Sequence, residues 1–393
     1  MGVSVSELFG SAAAYGAVLC YLAAITGSAY ALVAIWAARS FARAPLGVPP
    51  ASYPPVTILK PLHGDEPDLH ANLASFCLQD YPAPPQIVFG LADPADPAAA
   101  TVHRLIAQMP DRDLALVINP RRHGTNAKVS SLINMQVEAR HDVLVIADSD
   151  IGVPRDYLTT VLAALSRPDV GLVTCLYRGV PSVGLWSRFA AAGIDYHFLP
   201  NVLVGLKLRL ATPCFGSTIA LTKSTLARIG GLPSVADRLA DDYALGMAVR
   251  GAGFKVAIPA LLVTHACAER SLREVVLHEI RWARTIRAMD PLGFTGSAIT
   301  HAVPLALLGV ILGGLTPAAW IVAAAVFCRL ALQAELHRLF HLRNGIFWLG
   351  PIRDILSFII FVASFFGRRV EWRGRRYAVK TDHTLAYSSE ADS

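Results

Sequence analysis

Charge is scarce in this chain. Of its 393 residues 16% are charged and 54% hydrophobic, too apolar a balance for a wholly soluble protein, so part of it belongs in a membrane. The six cysteines, Cys20, Cys77, Cys175, Cys214, Cys267 and Cys328, form no C-x-x-C pair and show no metal-finger spacing. That argues against a zinc module and a disulfide scaffold, and leaves a reducing cytosol as the default for the globular part. No internal repeat marks a solenoid. The formal net charge is +6, yet the basic residues do not interleave with aromatics along a repeated surface, and much of the excess sits between Arg368 and Lys380. Nucleic acid is therefore not expected as a partner, and anionic lipid is the better match for the excess.

What the chain has in place of charge is apolar length. Ser11 to Ala38 carries no charged residue, and at ~1.5 Å per residue it exceeds a hydrocarbon core of ~30 Å. It reads as a transmembrane helix; a removed signal peptide is the weaker reading, because no basic segment precedes it and no clean small-residue cleavage site follows. Glu7 before it and Arg39 and Arg43 after it place the following domain in the cytosol by the positive-inside rule. Residues 1–44 are thus the expected N-terminal anchor.

A proline-rich linker, Pro45 to Pro55, cannot continue the helix, and an expected α/β domain occupies 45–270. Strands are expected at Val56–Lys60, Gln86–Ala92, Leu114–Ile118, Val143–Ala147, Gly171–Tyr177, Thr218–Leu221, Phe254–Ile258 and Leu261–Thr264. Helices are expected at Leu69–Leu78, Ala98–Gln108, Ala127–Glu138, Tyr157–Leu165, Ser224–Ile229 and Asp237–Arg250. Strands alternating with helices at this spacing imply a doubly wound, mostly parallel sheet. Within it, Phe189 to Val204, interrupted by Pro200, reads as a core helix in preference to a membrane-surface segment, since charge and Gly/Pro punctuate it too often for a span.

Ser271 to Met289 opens a segment, 271–296, that reads as a basic amphipathic helix suited to a membrane surface, with Arg273, Arg281, Arg284 and Arg287 beside Val275, Val276, Leu277 and Trp282. Residues 297–367 hold the expected C-terminal spans: apolar blocks Ile299–Thr316 and Ala318–Leu332, a hairpin or one kinked span, and Ile346–Phe366. Arg329 is placed to snorkel to the interface. Arg353 and Asp354 interrupt the third block, so either they pair within a bundle or the segment enters only part-way. Residues 368–393 form a basic tail.

The chemistry gathers around Asp142 to Asp150. Val143–Ala147 is an apolar, β-branched run of the kind buried on both faces of a parallel sheet, and Asp148 and Asp150 follow its end. Ligands collect at the carboxyl ends of strands in open α/β sheets, where two carboxylates one residue apart can hold a hard divalent cation, Mg2+ or Mn2+, and through it a diphosphate. The alternative is that Asp-Ser-Asp only turns the chain and caps the next element. Further acids close other elements: Asp93 after the second strand, and Asp241 and Asp242 at a helix start.

Leu59-Lys60-Pro61-Leu62-His63-Gly64, Asn72-Leu73, Asp80-Tyr81-Pro82, Asn126-Ala127-Lys128-Val129, Asp148-Ser149-Asp150 and Asp241-Asp242-Tyr243, with His278-Glu279-Ile280-Arg281-Trp282 between membrane segments, carry a resemblance. The order resembles the D, D-x-D, D, (Q/R)-x-x-R-W pattern of membrane-bound family 2-like glycosyltransferases with the GT-A fold. More narrowly it is similar to the ceramide glucosyltransferase family, glycosyltransferase family 21, and its bacterial branch associated with hopanoid biosynthesis. The resemblance spans about residues 11 to 370.

It implies an inverting transfer of a hexose or N-acetylhexosamine from a UDP-sugar to the hydroxyl of a membrane lipid, ceramide or hopanoid. The protein would be integral to the bilayer, in the inner (cytoplasmic) membrane if bacterial, with its catalytic domain cytosolic. By the same resemblance Asp93 faces the uridine, and Asp148, Lys128, Arg281 and Trp282 meet the nucleotide-sugar. Asp148 and Asp150 hold the metal and Asp242 is the general base, with Asp241 kept open because adjacent acids at a helix start point to different sides.

Each role has a physical reason. A cation and a planar guanidinium stabilise charge developing on a departing diphosphate, and the attacking hydroxyl must lose its proton to a carboxylate. Structural alternatives stand beside them: a solvated first-turn lysine for Lys128, a buried structural ring for Trp282, a metal ligand or a structural residue for His265, and a small buried hydrophobe for Cys214. His278 departs from the pattern, which has Gln or Arg there. A processive polysaccharide synthase needs more spans than these to build a channel, and a non-catalytic nucleotide- or lipid-binding module leaves the acids without a reason to occur together.

Overall fold

The computed structural model describes residues 5–45, 52–314 and 318–367, with backbone alone for 5–11, for Phe347 and for the strands Arg369–Trp372, Arg375–Val379 and Leu385–Tyr387. Two compact units result. One comprises Arg43–Ser187, Ala211–Arg270 and Arg368–Ser393; the other comprises Met1–Ala42, Arg188–Leu210 and Ser271–Gly367.

The first unit is the α/β body, and its strands in chain order are β1 Val56–Pro61, β2 Gln86–Leu91, β3 Leu114–Ile118, β4 Val143–Ile146, β5 Ile151–Gly152, β6 Val170–Val173, β7 Leu176–Pro181, β8 Ile219–Thr222, β9 Lys255–Ala257 and β10 Leu262–Cys267. Seven of them form one sheet in the order β3-β2-β1-β4-β8-β6-β9. Pairing is parallel from β3 through β4 and between β6 and β9, while β8 runs antiparallel to both neighbours. The expected mostly parallel, doubly wound sheet is thus present. The register Leu59↔Ile146 between β1 and β4 brings the ends of these two strands together.

The sheet forms because β1, β2 and β4 are buried at every position, as unbroken apolar runs must be when helices cover both faces. The Ala127–Gln136 helix covers one face: Val129, Leu132 and Met135 pack with Leu59, Val88, Leu144, Ile146 and Ile219 in one cluster. Gly90 on β2 permits that approach, since a Cβ there would collide with the Met135 thioether. Each fully buried leucine of this kind contributes roughly 1.5–3 kcal/mol. Asn126 caps the helix, its side chain accepting the amides of Lys128 and Val129, and so fixes Lys128 in the first turn.

The remaining strands form a small sheet in the order β5-β10-β7. Two details differ from the sequence reading. The expected strand Gly171–Tyr177 is two strands in different sheets, parted at Thr174, whose hydroxyl exchanges hydrogen bonds with the backbone of Phe215. The two-residue strand β5 is too short to register as an apolar pattern.

The second unit is helical. Helices Ala12–Ala42 and Ala319–Phe340 are long and apolar enough to cross a membrane, and the pair Pro291–Thr300 and Ala302–Gly313, bent by 70°, makes a third if it is one span. Ala24 packs with Ala302, Val303, Ala306 and Ala325; small residues let these helices approach closely, as in membrane bundles. Phe189 to Val204, expected as a core helix, lies within Arg188–Leu210, which groups with this helical unit. It runs as a helix, a π-helical turn Ile194–Phe198, and a second helix Leu199–Lys207.

Arg329 does not snorkel. It is buried and forms a two-pronged ion pair with Asp354, at 2.7 Å on both arms. Arg353 and Asp354 are both buried and take separate partners, Glu279 and Arg329, in place of each other.

Candidate active site

The site is built where β1 and β4 end. Beyond Ile146 the Ala147 amide still bonds to Leu59, and the Asp148 amide then bonds to the carbonyl of Gly216, in the loop leading to β8. Asp148 Oδ1 meets Lys128 Nζ at 2.7 Å, and the same ammonium stands 3.3 Å from Asp241 Oδ2. Asp241 Oδ1 accepts the amide of Asn126, the residue that caps the Lys128 helix. Asp242 Oδ2 accepts the Gly216 amide at 2.8 Å and Oδ1 its neighbour amide Tyr243 at 2.7 Å. Both acids open the helix Asp241–Gly251, where the helix dipole favours negative charge.

Two loops and two helix starts therefore converge on one cluster: Lys128, Asp148, Gly216, Asp241 and Asp242. Lys128 is buried, not a solvated first-turn lysine. Burial opposes its charge, but Asp148, Asp241 and Asp242 together hold its pKa above the ordinary lysine value. Desolvation lifts Asp148 against the pull of Lys128, and desolvation followed by the charge of Asp241 pushes Asp242 up to about 6. A carboxylate poised nearer neutrality is a better proton acceptor than an ordinary one.

Gly216 is required by space. A Cβ there would stand 2.5 Å from Asp148 Oδ2 and 2.9 Å from Lys128 Nζ, so the backbone forms one wall of the recess.

Asp150 is held from the small sheet. The β5–β10 register sets His265 opposite Ile151, the Ala266 amide bonds to the Asp150 carbonyl, and His265 Nε2 lies 3.2 Å from Asp150 Oδ2. The His265 ring stacks on Tyr177 with centroids 5.5 Å apart. Burial works against the imidazolium, but Asp150 holds the His265 pKa well above the ordinary value.

Lys60, which the sequence reading gave no role, is fully buried at the end of β1; its Nζ donates to the Asp148 carbonyl and lies over the Phe76 ring at 4.0 Å. Burial pulls its pKa down to about 7, against Asp150 and Asp148. A lysine inside an otherwise apolar strand was the signal that could have found it. Gly216 had no such signal in a single sequence.

Asp93 follows β2, is exposed, and closes a local turn by accepting the Ala95 amide. Asp96 is the acid that reaches back to the chain after β1, accepting the Gly64 amide at 3.0 Å on each oxygen. Arg281 and Trp282 lie on the helix Leu272–Met289 of the helical unit, where the Trp282 ring meets the His278 ring edge-on at 4.5 Å. Cys214 is a buried hydrophobe in the core under the Asp241 helix, and burial raises its thiol beyond reach of ionisation.

The model of Glycosyl transferase family 21 matches residues 19–385. Ceramide glucosyltransferase 1 of Caenorhabditis elegans is 26% identical over 248 residues, 62% of this chain and 52% of that protein. Ceramide glucosyltransferase of Candida albicans is 30% identical over 125 residues, 29% of this chain and 23% of that protein. The chain thus spans about half the length, or less, of these relatives. Among solved structures, a mannosyltransferase from Pyrobaculum calidifontis, in complex with GDP-Man and Mn2+, superposes with a TM-score of 0.54 at 23% identity, covering 84% of this chain and 98% of that one. That likeness establishes the GT-A fold of the α/β unit.

Proposed function

The chain belongs to glycosyl transferase family 21, the ceramide glucosyltransferase family, and from that premise we propose that it transfers a hexose or N-acetylhexosamine from a UDP-sugar to the hydroxyl of a membrane lipid, ceramide or a hopanoid, with inversion. The observation that carries the reading is the Lys128–Asp148–Asp241–Asp242 cluster at the ends of β1 and β4. Three carboxylates around one buried ammonium suit the handling of phosphate charge and of a proton in one place.

In the proposed reaction Asp242 receives the proton of the acceptor hydroxyl while its oxygen bonds to the anomeric carbon and the bond to the diphosphate breaks, releasing UDP. Two backbone amides orient the Asp242 carboxylate, and a carboxylate's remaining lone pairs are left for the proton. Asp241 acts on Lys128 and Asn126, which makes it a positioning residue. For Arg281 and Trp282 we propose the parts the family pattern gives them, a cation for the diphosphate and a ring for the sugar or acceptor; for Asp93, the uridine.

A divalent cation fits the residues present. Asp148 and Asp150 are hard ligands with side chains 35% and 33% exposed, and the missing side chain of Gly216 leaves a recess beside Asp148. Two carboxylates suit Mg2+ or Mn2+, cations that complete their shell with water and substrate phosphates. Such a cation supplies charge neutralisation at the departing diphosphate.

The two helices of spanning length among the described residues, or three with the bent pair, are too few for a polymer channel, which favours a lipid acceptor over a processive synthase. By the positive-inside rule the α/β unit faces the cytosol, on the inner membrane if the cell is bacterial. Purified protein incubated with a panel of UDP-sugars and extracted lipids, with products weighed by mass spectrometry, tests the reading. A sugar-bearing lipid is expected, and UDP-sugar turnover with no glycolipid formed would reject it.

A further inference from the structure

The Asp148-Ser149-Asp150 segment is a turn, and one side chain grips it from beneath. The Asp148 carbonyl accepts the Ile151 amide at 3.3 Å, which closes a four-residue turn with the two acids at its first and third positions. The same carbonyl also accepts from Lys60 Nζ, brought there from the end of β1. A carbonyl oxygen has two acceptor lone pairs, and both are used here.

Side-chain alternation along β1 sends Lys60 away from the Ala127–Gln136 helix. Leu59, before it, packs in the cluster with Val129 and Leu132, so Lys60 points to the opposite face of the sheet, where its ammonium lies over the Phe76 ring at 4.0 Å. Phe76 belongs to the helix Leu69–Cys77 and is itself fixed, edge-on to Tyr157 with centroids 5.6 Å apart. The same helix holds the chain just past the turn: Ser75 Oγ accepts the Val153 amide at 3.0 Å. Gln79, beyond the end of that helix, donates to the Pro154 carbonyl at 2.9 Å.

Burying an ammonium is costly, and a lysine that served as a counter-ion would offset the cost by pairing with a carboxylate. Lys60 is fully buried, yet its hydrogen bond goes to backbone. The carboxylates of Asp148 and Asp150 are engaged by other cations, Lys128 and His265. An ammonium placed in this way fixes a peptide group and leaves the carboxylates where the turn puts them.

We propose that Lys60 is a positioning residue: through the Asp148 carbonyl it holds the acidic turn in the shape that presents Asp148 and Asp150 to a divalent cation. The inference rests on the metal role proposed for these two acids, but the grip on the turn is measurable without metal.

The full-length protein in detergent, with UDP present, is titrated with Mn2+, and the free ion is read by electron paramagnetic resonance. Lys60→Met keeps an unbranched stem and removes the ammonium. It is expected to weaken Mn2+ binding by about 10- to 100-fold, the usual effect of losing a group that orients a metal ligand, with Tm not lowered, since an apolar side chain suits a buried position. The sign is diagnostic, because removing a cation that acted only as nearby charge would relieve repulsion and tighten Mn2+. In metal-free protein, hydrogen exchange at the Ile151 amide is expected to rise by about 10-fold, the worth of one hydrogen bond to a charged group, with β1 and β4 unchanged. Mn2+ affinity that is unchanged or tighter in Lys60→Met overturns the proposal. So does weaker affinity with a fallen Tm and faster exchange throughout β1 and β4, which would make Lys60 a residue of the fold alone. Should Lys60→Met not fold, Phe76→Leu, which keeps the ammonium and removes the ring beneath it, carries the same expectation of weaker Mn2+ and faster Ile151 exchange, and wild-type behaviour there overturns the proposal. If wild type binds no Mn2+ with UDP while Ile151 exchange still depends on Lys60, the grip on the turn stands and the metal reading falls.

Discussion

The Gly216 amide donates to Asp242 Oδ2 at 2.8 Å, so a loop glycine sets the direction of the carboxylate proposed as base. The same residue's carbonyl accepts the Asp148 amide. One peptide segment thereby ties the strand-end acid to the helix-start acid, and a side chain at that point would press on the Asp148 carboxylate and the Lys128 ammonium.

Gly216→Ala is therefore expected to lower turnover by about 10²-fold, the scale of losing one positioned electrostatic group, while costing only about 1–3 kcal/mol of stability as overpacking. The added Cβ displaces Asp148 and Lys128, not the core. A transfer assay beside a thermal melt checks it; wild-type turnover would show that the recess is not used.

Asp150→Asn keeps shape and removes charge. It is expected to lower transfer by ~10²-fold or more without unfolding the protein, and to leave His265 without the carboxylate that holds its proton. Excess chelator is expected to stop the wild type in the same assay. Undiminished transfer in chelator would remove the metal from the mechanism and leave Asp150 as a partner of His265 only.

Deleting residues 1–40 is expected to weaken anchoring but leave the protein in the membrane fraction, because the Ala319–Phe340 helix is itself of spanning length and apolarity. It also uncovers Ala302, Val303 and Ala306, which pack on Ala24, so the truncated protein is expected to need detergent and to aggregate without it. Its recovery in the aqueous fraction would show that the later helices do not span.

Much of the α/β unit was legible because buried parallel strands are continuous apolar runs: β1 through β4 and the helices between them begin within one residue of where pattern places them. The acids were legible too, since Asp148 ends the β4 run and Asp242 opens a helix. The rest depended on contacts between distant segments. Nothing near Lys128 in sequence announces Asp241, 113 positions on, nor does Asp150 announce His265 across the β5–β10 ladder. The grouping of Arg188–Leu210 with the helical unit was hidden for a different reason. Its polar residues look like breaks in a span, whereas Asp195 and His197 are satisfied by Asn344 and Asp354 far along the chain.

The last prediction separates the paired acids by rate and by pH. Asp242→Asn is expected to lower turnover by ~10² to 10⁴-fold, the usual share of a general base, with UDP-sugar binding nearly unchanged, since the base acts only as the acceptor attacks. Asp241→Asn is expected to be milder in turnover but to loosen Lys128, which then keeps Asp148 as its near partner. Because Asp242 titrates at about 6 and must be ionised to act, wild-type kcat/KM is expected to fall with unit slope as pH drops below that value. The stability consequence has the opposite sense. A folded pKa raised above the unfolded value of about 3.9 means that the folded state binds the proton more tightly, so Asp242 favours folding at low pH, and this contribution is lost as pH rises through about 6. Asp242→Asn should accordingly melt higher than wild type at pH 8 and lose that advantage at pH 4. A variant that is slow but shows no such crossover would leave Asp242 catalytic with an ordinary pKa, and one that turns over at the wild-type rate while Asp241→Asn is dead would move the base to Asp241.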